Sequence, residues 1–195
     1  ELKPYFDALL DRELNSVDDL RKWFHDRSEL ESVLSEDLAW RYIRMTCYTD
    51  NEKYSKAYQD FIHNIQPEVA PVADKLNKKI AASRFLPALE GEEGFDIMIR
   101  NLKKDIEIFR EENVPLFTEI NTETQKYAQL SGAMSIEWDG KEITLQQAAV
   151  LLMSTDRKVR EQVYEKISAR RLKDKKELDD LFSHLIKLRH RVAVN

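Results

Sequence analysis

From Lys141 to Asn195 the chain contains neither glycine nor proline. Glycine adopts left-handed angles easily at helix ends, and proline removes a backbone N–H, so the two are the usual punctuation of helices. A stretch that lacks both is constrained to run as helix with few interruptions. The whole sequence leans the same way. It has four Gly and five Pro in 195 residues, which predicts long elements and few breaks.

Inside that stretch the apolar residues keep one phase. At ~100° per residue, Val159, Val163 and Ile167 share a face with Leu178, Leu181, Leu185, Leu188 and Val192. The phase survives the polar interval between Arg170 and Glu177, so the spacing predicts one long helix from about 156 to 193. Arg170, Asp174 and Glu177 fall on the same stripe. They either cross solvent between two packed regions or face a polar cavity, because buried charges need partners. Ser154-Thr155-Asp156 supplies cap-type residues at the start of this helix.

The segment before it carries the sharpest local signals. Asp139-Gly140 is a favoured two-residue hairpin pair, since both turn positions take positive φ. Ile136 and Trp138 alternate with polar residues before the turn and Ile143 follows it, which predicts a hairpin over about 134–143 with one packed face. Thr144 opens T-x-x-Q with Gln147, a capping box. The apolar run from Leu145 to Met153 predicts a short, deeply buried helix.

The first 112 residues read as successive amphipathic helices. Ser16 and Asp19 start one, with Leu20, Phe24, Leu30 and Leu34 on its apolar side. Ser35 is expected to cap a second, bearing Leu38, Tyr42 and Met45. Asp50-Asn51 starts the next, and Tyr54, Tyr58, Phe61 and Ile65 recur at helical spacing as core. Gln66-Pro67 breaks the pattern, and Pro71 is expected in or before the first turn of a helix carrying Val72, Leu76 and Ile80. Pro87 and the run from Glu90 to Gly94 mark a flexible loop whose acidic residues serve solubility. Phe95, Ile99, Leu102, Ile106 and Phe109 form a further stripe. Asn113-Val114-Pro115 punctuates before Leu116, Ile120 and Tyr127, and Ser131-Gly132 closes that helix. Trp23, Trp40 and Trp138 are expected as packing anchors with one polar contact each, and the mixed-sign run from Arg170 to Lys176 as a solvated face.

Composition excludes several classes. A net charge of −5, from 31 basic and 36 acidic residues, offers no basic footprint for nucleic acid. No apolar run approaches the ~20 residues of a membrane span. The single Cys47 cannot form an internal disulfide and points to a reducing, cytoplasmic setting. It is expected as a small core hydrophobe.

Taken in order, Gly132-Ala133-Met134, Asp139-Gly140-Lys141, Ile143-Thr144-Leu145, and Asp156-Arg157 with Arg160 and Tyr164 resemble the N-terminal region of the oligoendopeptidase F family. That family belongs to the thimet-oligopeptidase-like zinc metallopeptidases. The resemblance rests on residues 114 to 195. The run from Leu188-Arg189 to Asn195 is similar to the family's helix before its next Gly-containing turn. Over residues 1 to 113 the likeness is one of style. Arg157 and Arg160 each tie, on this reading, a helix start to neighbouring acidic groups.

The family's chemistry uses H-E-x-x-H on a helix: two His bind zinc from one face, and the Glu between them is the general base. This sequence has no such motif. Its histidines are His25, His63, His184 and His190. His184 and His190 point about 240° apart at ~100° per residue, so one helix face cannot present both to a metal. No catalytic or metal-binding residue is assigned, and the substrate-contacting residues are unknown. The start at Glu1 without Met, and the finish at Asn195 within a helical run, lead to the expectation of a piece of a longer parent.

The sequence therefore predicts an all-α lobe with one small hairpin. Residues 1–112 form a helical region and 113–195 a helix, hairpin and long helix, together one continuous lobe. The resemblance implies a parent zinc endopeptidase acting on short peptides. This lobe then forms one wall of a deep substrate channel beside the missing catalytic half, and is inactive alone. Zinc is implied in the parent and no cofactor in this segment. Neither nucleic acid nor membrane is implied as a partner. The alternative is a free-standing helical protein-interaction module without enzymatic activity. A cut lobe would expose a large apolar patch, and a module a polar surface with one groove.

Overall fold

A computed structural model describes residues 2–195, so Glu1 lies outside the described residues. Helix α1 (Lys3–Asp11) has Pro4 in its first turn, where a missing N–H is harmless. Ser16 then caps α2 (Val17–Cys47) by accepting from the Asp19 N–H. α2 runs 31 residues without a break. Ser35 lies inside it and caps nothing, contrary to the sequence reading. A serine becomes a cap only where the chain leaves helical angles, and no glycine or proline near Ser35 makes it do so.

Asn51 caps α3 (Glu52–Asp60) through the N–H groups of Lys53 and Tyr54. A π-helical turn, Phe61–Ile65, leads directly into α4 (Gln66–Ala81). Gln66-Pro67 therefore changes the helical pitch instead of turning the chain. Pro71 lies inside α4, deeper than the sequence predicts. A 3-10 turn at Leu86–Ala88 and the positive-φ Gly94 precede α5 (Phe95–Ile108). α6 (Asn113–Gly132) follows, with Pro115 in its first turn.

The hairpin is present as predicted. β1 (Ser135–Trp138) pairs antiparallel with β2 (Lys141–Thr144), with Ile136 opposite Ile143. Asp139 and Gly140 both have positive φ, at 50° and 72°, as this turn demands. Thr144 and Gln147 form the reciprocal capping box of α7 (Leu145–Leu151). α7 is less buried than its composition suggests. Only Ala148 is fully enclosed, and Val150 and Met153 are 67% and 84% exposed. A seven-residue helix has one inward face, so an all-apolar run must leave some of its side chains outside.

Asp156 caps α8 (Arg157–Lys173) through the Lys158 N–H, and α9 (Lys175–Val194) completes the chain. The long C-terminal helical run is there, but Asp174 parts it into two helices. The apolar stripe divides at the same place. Val163 and Ile167 pack with Ile136 and Ala148, while Leu185 and Leu188 pack with Leu116 and Ile120. Each helix packs on its own partners, and the junction between them is the single residue Asp174.

The largest core cluster lies nearer the N-terminus. Phe6, Leu9, Leu20, Trp23, Leu76, Ile80, Leu86, Leu89, Ile99 and Leu102 bring α1, α2, α4, α5 and the turn between the last two together. Polar ties lock it. Trp23 Nε1 donates to the Leu9 carbonyl at 2.8 Å. Lys79 Nζ donates to the carbonyls of Leu10 and Arg12. The loop read as flexible and merely solubilising is tied down: Arg21 grips Glu92 with two N–H groups, and Lys103 pairs with Glu90.

Candidate functional site

A cleft of about 770 Å³ lies where α4, the end of α5, the start of α6 and the end of α9 meet. Its walls are mostly apolar, with Pro67, Ile108, Phe109, Val114, Phe117 and Val192 prominent. One side is set by α6, which begins right after the Arg110–Glu112 turn, and another by α9, which packs along α6 through Leu185 and Leu188.

Its polar framework is specific. Asn113, buried at the head of α6, donates from Nδ2 to the Val192 carbonyl at 3.1 Å and accepts from Asn195 Nδ2 at 2.7 Å. Arg110 donates to the carbonyls of Glu107 and Phe109 at 2.8 Å, closing the C-terminal end of α5, and to the Asn195 carbonyl at 3.3 Å. Deeper along α6, Asn121 Nδ2 donates to Gln66 Oε1 at 3.2 Å. That pair leaves the Gln66 amide N–H groups and the Asn121 carbonyl unused by each other, a donor and an acceptor side by side. Aliphatic walls with such a pair can hold an apolar chain by contact and orient it by a few hydrogen bonds.

The residues singled out in the sequence lie apart from one another. His25 is at the surface beside Asp26. His63 Nε2 lies 3.1 Å from the Thr122 hydroxyl, His184 faces Glu119 at 3.5 Å, and His190 is exposed on α9. Zinc, which the resemblance implies for a longer parent, does not fit these residues. Among the described residues no group of three or more His, Cys, Asp or Glu could hold a metal ion, so no zinc chemistry is derived from this chain. Arg170 and Asp174 form an ion pair, each about one-fifth exposed, across the break between α8 and α9. Arg160 does fix a helix start, but through the carbonyls of Ser154 and Thr155 and not through acids.

Several side chains depart from the sequence reading. Cys47 is exposed in the last turn of α2, where only the face bearing Met45 is covered. Phe61 is core, but Tyr54 and Tyr58 are half-buried on the seam with α2, where they meet the rings of Tyr48 and Tyr42. Burial there pushes the Tyr58 phenol above its ordinary value. Trp40 is half-exposed, and Tyr127 points outward. The cleft itself was missed. Its residues come from positions 66–70, 105–121 and 192–195, and no local spacing links them.

The family model described as the peptidase M3 N-terminal domain matches residues 1–109. That is more than half of the chain, and the chain belongs to this family. The match falls on the half where the sequence offered only a likeness of style, while the quoted motifs lie in the other half. A family model sums weak preferences over many helical positions, which no short motif expresses.

Three solved structures share the fold. One, described as an oligoendopeptidase F from Bacillus anthracis str. Ames, is 24% identical with a TM-score of 0.88, over 98% of this chain and 35% of that one. PZ peptidase A, solved with an inhibitor, is 23% identical with a TM-score of 0.87, over 98% and 34%. A second oligoendopeptidase F structure gives 24% and 0.88, over 98% and 34%. The chain thus spans about a third of the length of these proteins. No curated protein matches it. Among the described residues, no helix is long and apolar enough to cross a membrane.

Proposed function

We propose that this chain is the N-terminal, non-catalytic lobe of a zinc metalloendopeptidase that hydrolyses short peptides, and that it forms one wall of the substrate channel. The observation that carries the reading is the family match over residues 1–109 together with one fold shared over 98% of the chain by proteins about three times as long. The zinc, the general base and the peptide bond cleavage belong to the longer protein. This lobe contributes shape and size selection, acts in the cytoplasm, and has the rest of the peptidase and short peptides as its partners.

The side chains support a role in contact, not in chemistry. The cleft offers aliphatic walls and amides. Large apolar residues such as Phe117, Phe182, Ile186 and Val194 remain at the surface, as expected of a lobe that packs against more protein. We read residues 1–112 and 113–195 as two regions of one lobe, since α2 and α4 of the first both pack on α6 of the second.

The test is to express the longer coding sequence and this chain side by side. The longer protein should cleave a quenched short peptide, lose that activity with a chelator and regain it with zinc. This chain alone should cleave nothing. A coding sequence that continues without H-E-x-x-H, or a chelator-insensitive activity, defeats the reading.

A further inference from the structure

Among the described residues, the distal half of α2 carries a side-chain stripe that is largely left open to solvent. At ~100° per residue, Val33, Glu36, Asp37, Ile43, Arg44 and Cys47 all lie within about 60° of Trp40 around the helix. Val33, Trp40 and Ile43 are 61%, 51% and 43% exposed, and Cys47 is exposed as well. The opposite face, with Leu34, Leu38 and Met45, turns inward. Positions 33, 36, 40, 43 and 47 alternate by three and four, the spacing of a helix seam that packs against another helix.

The stripe is complementary to its own reverse. Val33 and Cys47 each lie seven residues from Trp40, and Glu36 and Arg44 each four residues from it, on opposite sides. Two such helices laid antiparallel about Trp40 set Val33 against Cys47, Trp40 against Trp40, and Arg44 against Glu36 and Asp37. The charges are available for this. Among the described residues Glu36 accepts only from Trp40 Nε1 of its own helix, at 3.3 Å, and Arg44 lies over the Trp40 ring at 5.9 Å. Asp37 bonds Arg41 through one carboxylate oxygen and keeps the other. A parallel pairing would oppose Glu36 to Glu36 and Arg44 to Arg44, which like-charge repulsion disfavours.

We propose that this face of α2 docks a second copy of the chain, antiparallel and two-fold symmetric about Trp40. Each copy presents the same patch, as a closed two-fold interface requires. The seam of 15 residues is about 22 Å long at 1.5 Å per residue, which places the dimer among small, reversible interfaces. No hydrolysis enters the argument, so its failure leaves the peptidase reading intact.

Sedimentation equilibrium on the full chain, with circular dichroism to confirm helix content, should show concentration-dependent dimers. Arg44→Glu should weaken them at least ~10-fold, and adding Glu36→Arg and Asp37→Arg to that variant should restore them. Val33→Cys should give a covalent dimer with diamide, each of two thiols losing a hydrogen to the oxidant as the S–S bond forms. Trp40→Asp or Cys47→Ser in that background should abolish the cross-link. A monomer at all concentrations, a dimer indifferent to Arg44→Glu, or efficient diamide cross-linking of the unaltered chain through Cys47 alone (the parallel arrangement) overturns the proposal.

Discussion

The regions before and after Asn113 are built from the same kind of helix but enclose their side chains differently. In the first, α1, α2, α4 and α5 surround Trp23, Leu20, Leu76, Ile80, Leu89 and Ile99, all essentially inaccessible to solvent. In the second, two small clusters of four buried residues each lie on either side of the Asp174 break. There Met153, Tyr164, Leu172, Phe182 and Val194 remain outside. Hydrophobic stabilisation follows the apolar area removed from water. The first region therefore gathers most of its buried apolar area in one large core, while the second divides it between two small clusters of its own.

This contrast can be broken by experiment. Trp23→Ala removes the centre of the large cluster and should cost about 3–5 kcal/mol in denaturant unfolding. Leu188→Ala removes a comparable anchor from a smaller cluster and should cost about 2 kcal/mol, the low end for such a truncation. Equal losses would mean that the second region is as fully packed as the first.

Smaller effects sharpen the picture. Thr144→Ala deletes half of the capping box and should cost about 1 kcal/mol, with hydrogen exchange rising in α7 and the hairpin before it rises elsewhere. Acid should act on the first region. Hydrogen bonds from Ser16 and Asn15 hold Asp19 below the ordinary carboxylate range, Arg12 does the same for Asp26, and Arg21 for Glu92. A carboxyl with a lowered folded value binds its proton more weakly when folded. Its stabilisation is complete above the unfolded value, at about 4, and disappears as pH falls through the folded value. Exchange in α2 should therefore rise before exchange in α8 and α9 as pH is lowered below about 4. These pairs are exposed, so the effect is modest. Met153→Ser should change stability by less than about 0.5 kcal/mol. A loss well beyond that would show Met153 to be covered in solution.

Local chemistry made part of this fold legible. Asp139-Gly140, Thr144 with Gln147, Ser16 and Asn51 each specify their element through bonds spanning only a few residues. Ser35 and Asp174 mark the limit of that logic. Ser35 has cap chemistry but sits where nothing bends the chain. Asp174 has no breaker beside it, yet the helix parts there, between the ends that pack on different clusters. Burial was read least well on helices with apolar residues all round: the composition of α7 and the end of α2 gives no sign of which side chains remain outside. The cleft could not be foreseen, because Gln66 meets Asn121 and Asn113 meets Val192 only after the chain has folded.

Lys79 has a bearing on biosynthesis. Its amine holds the open carbonyls at the end of α1 from 69 and 67 residues further along the chain. At about 5–20 residues per second of translation, the first helix leaves the ribosome roughly 3–14 s before the side chain that fastens it. During that interval Phe6 and Leu9 have no completed core to enter, so α1 stays unfastened on the nascent chain until Lys79 has emerged.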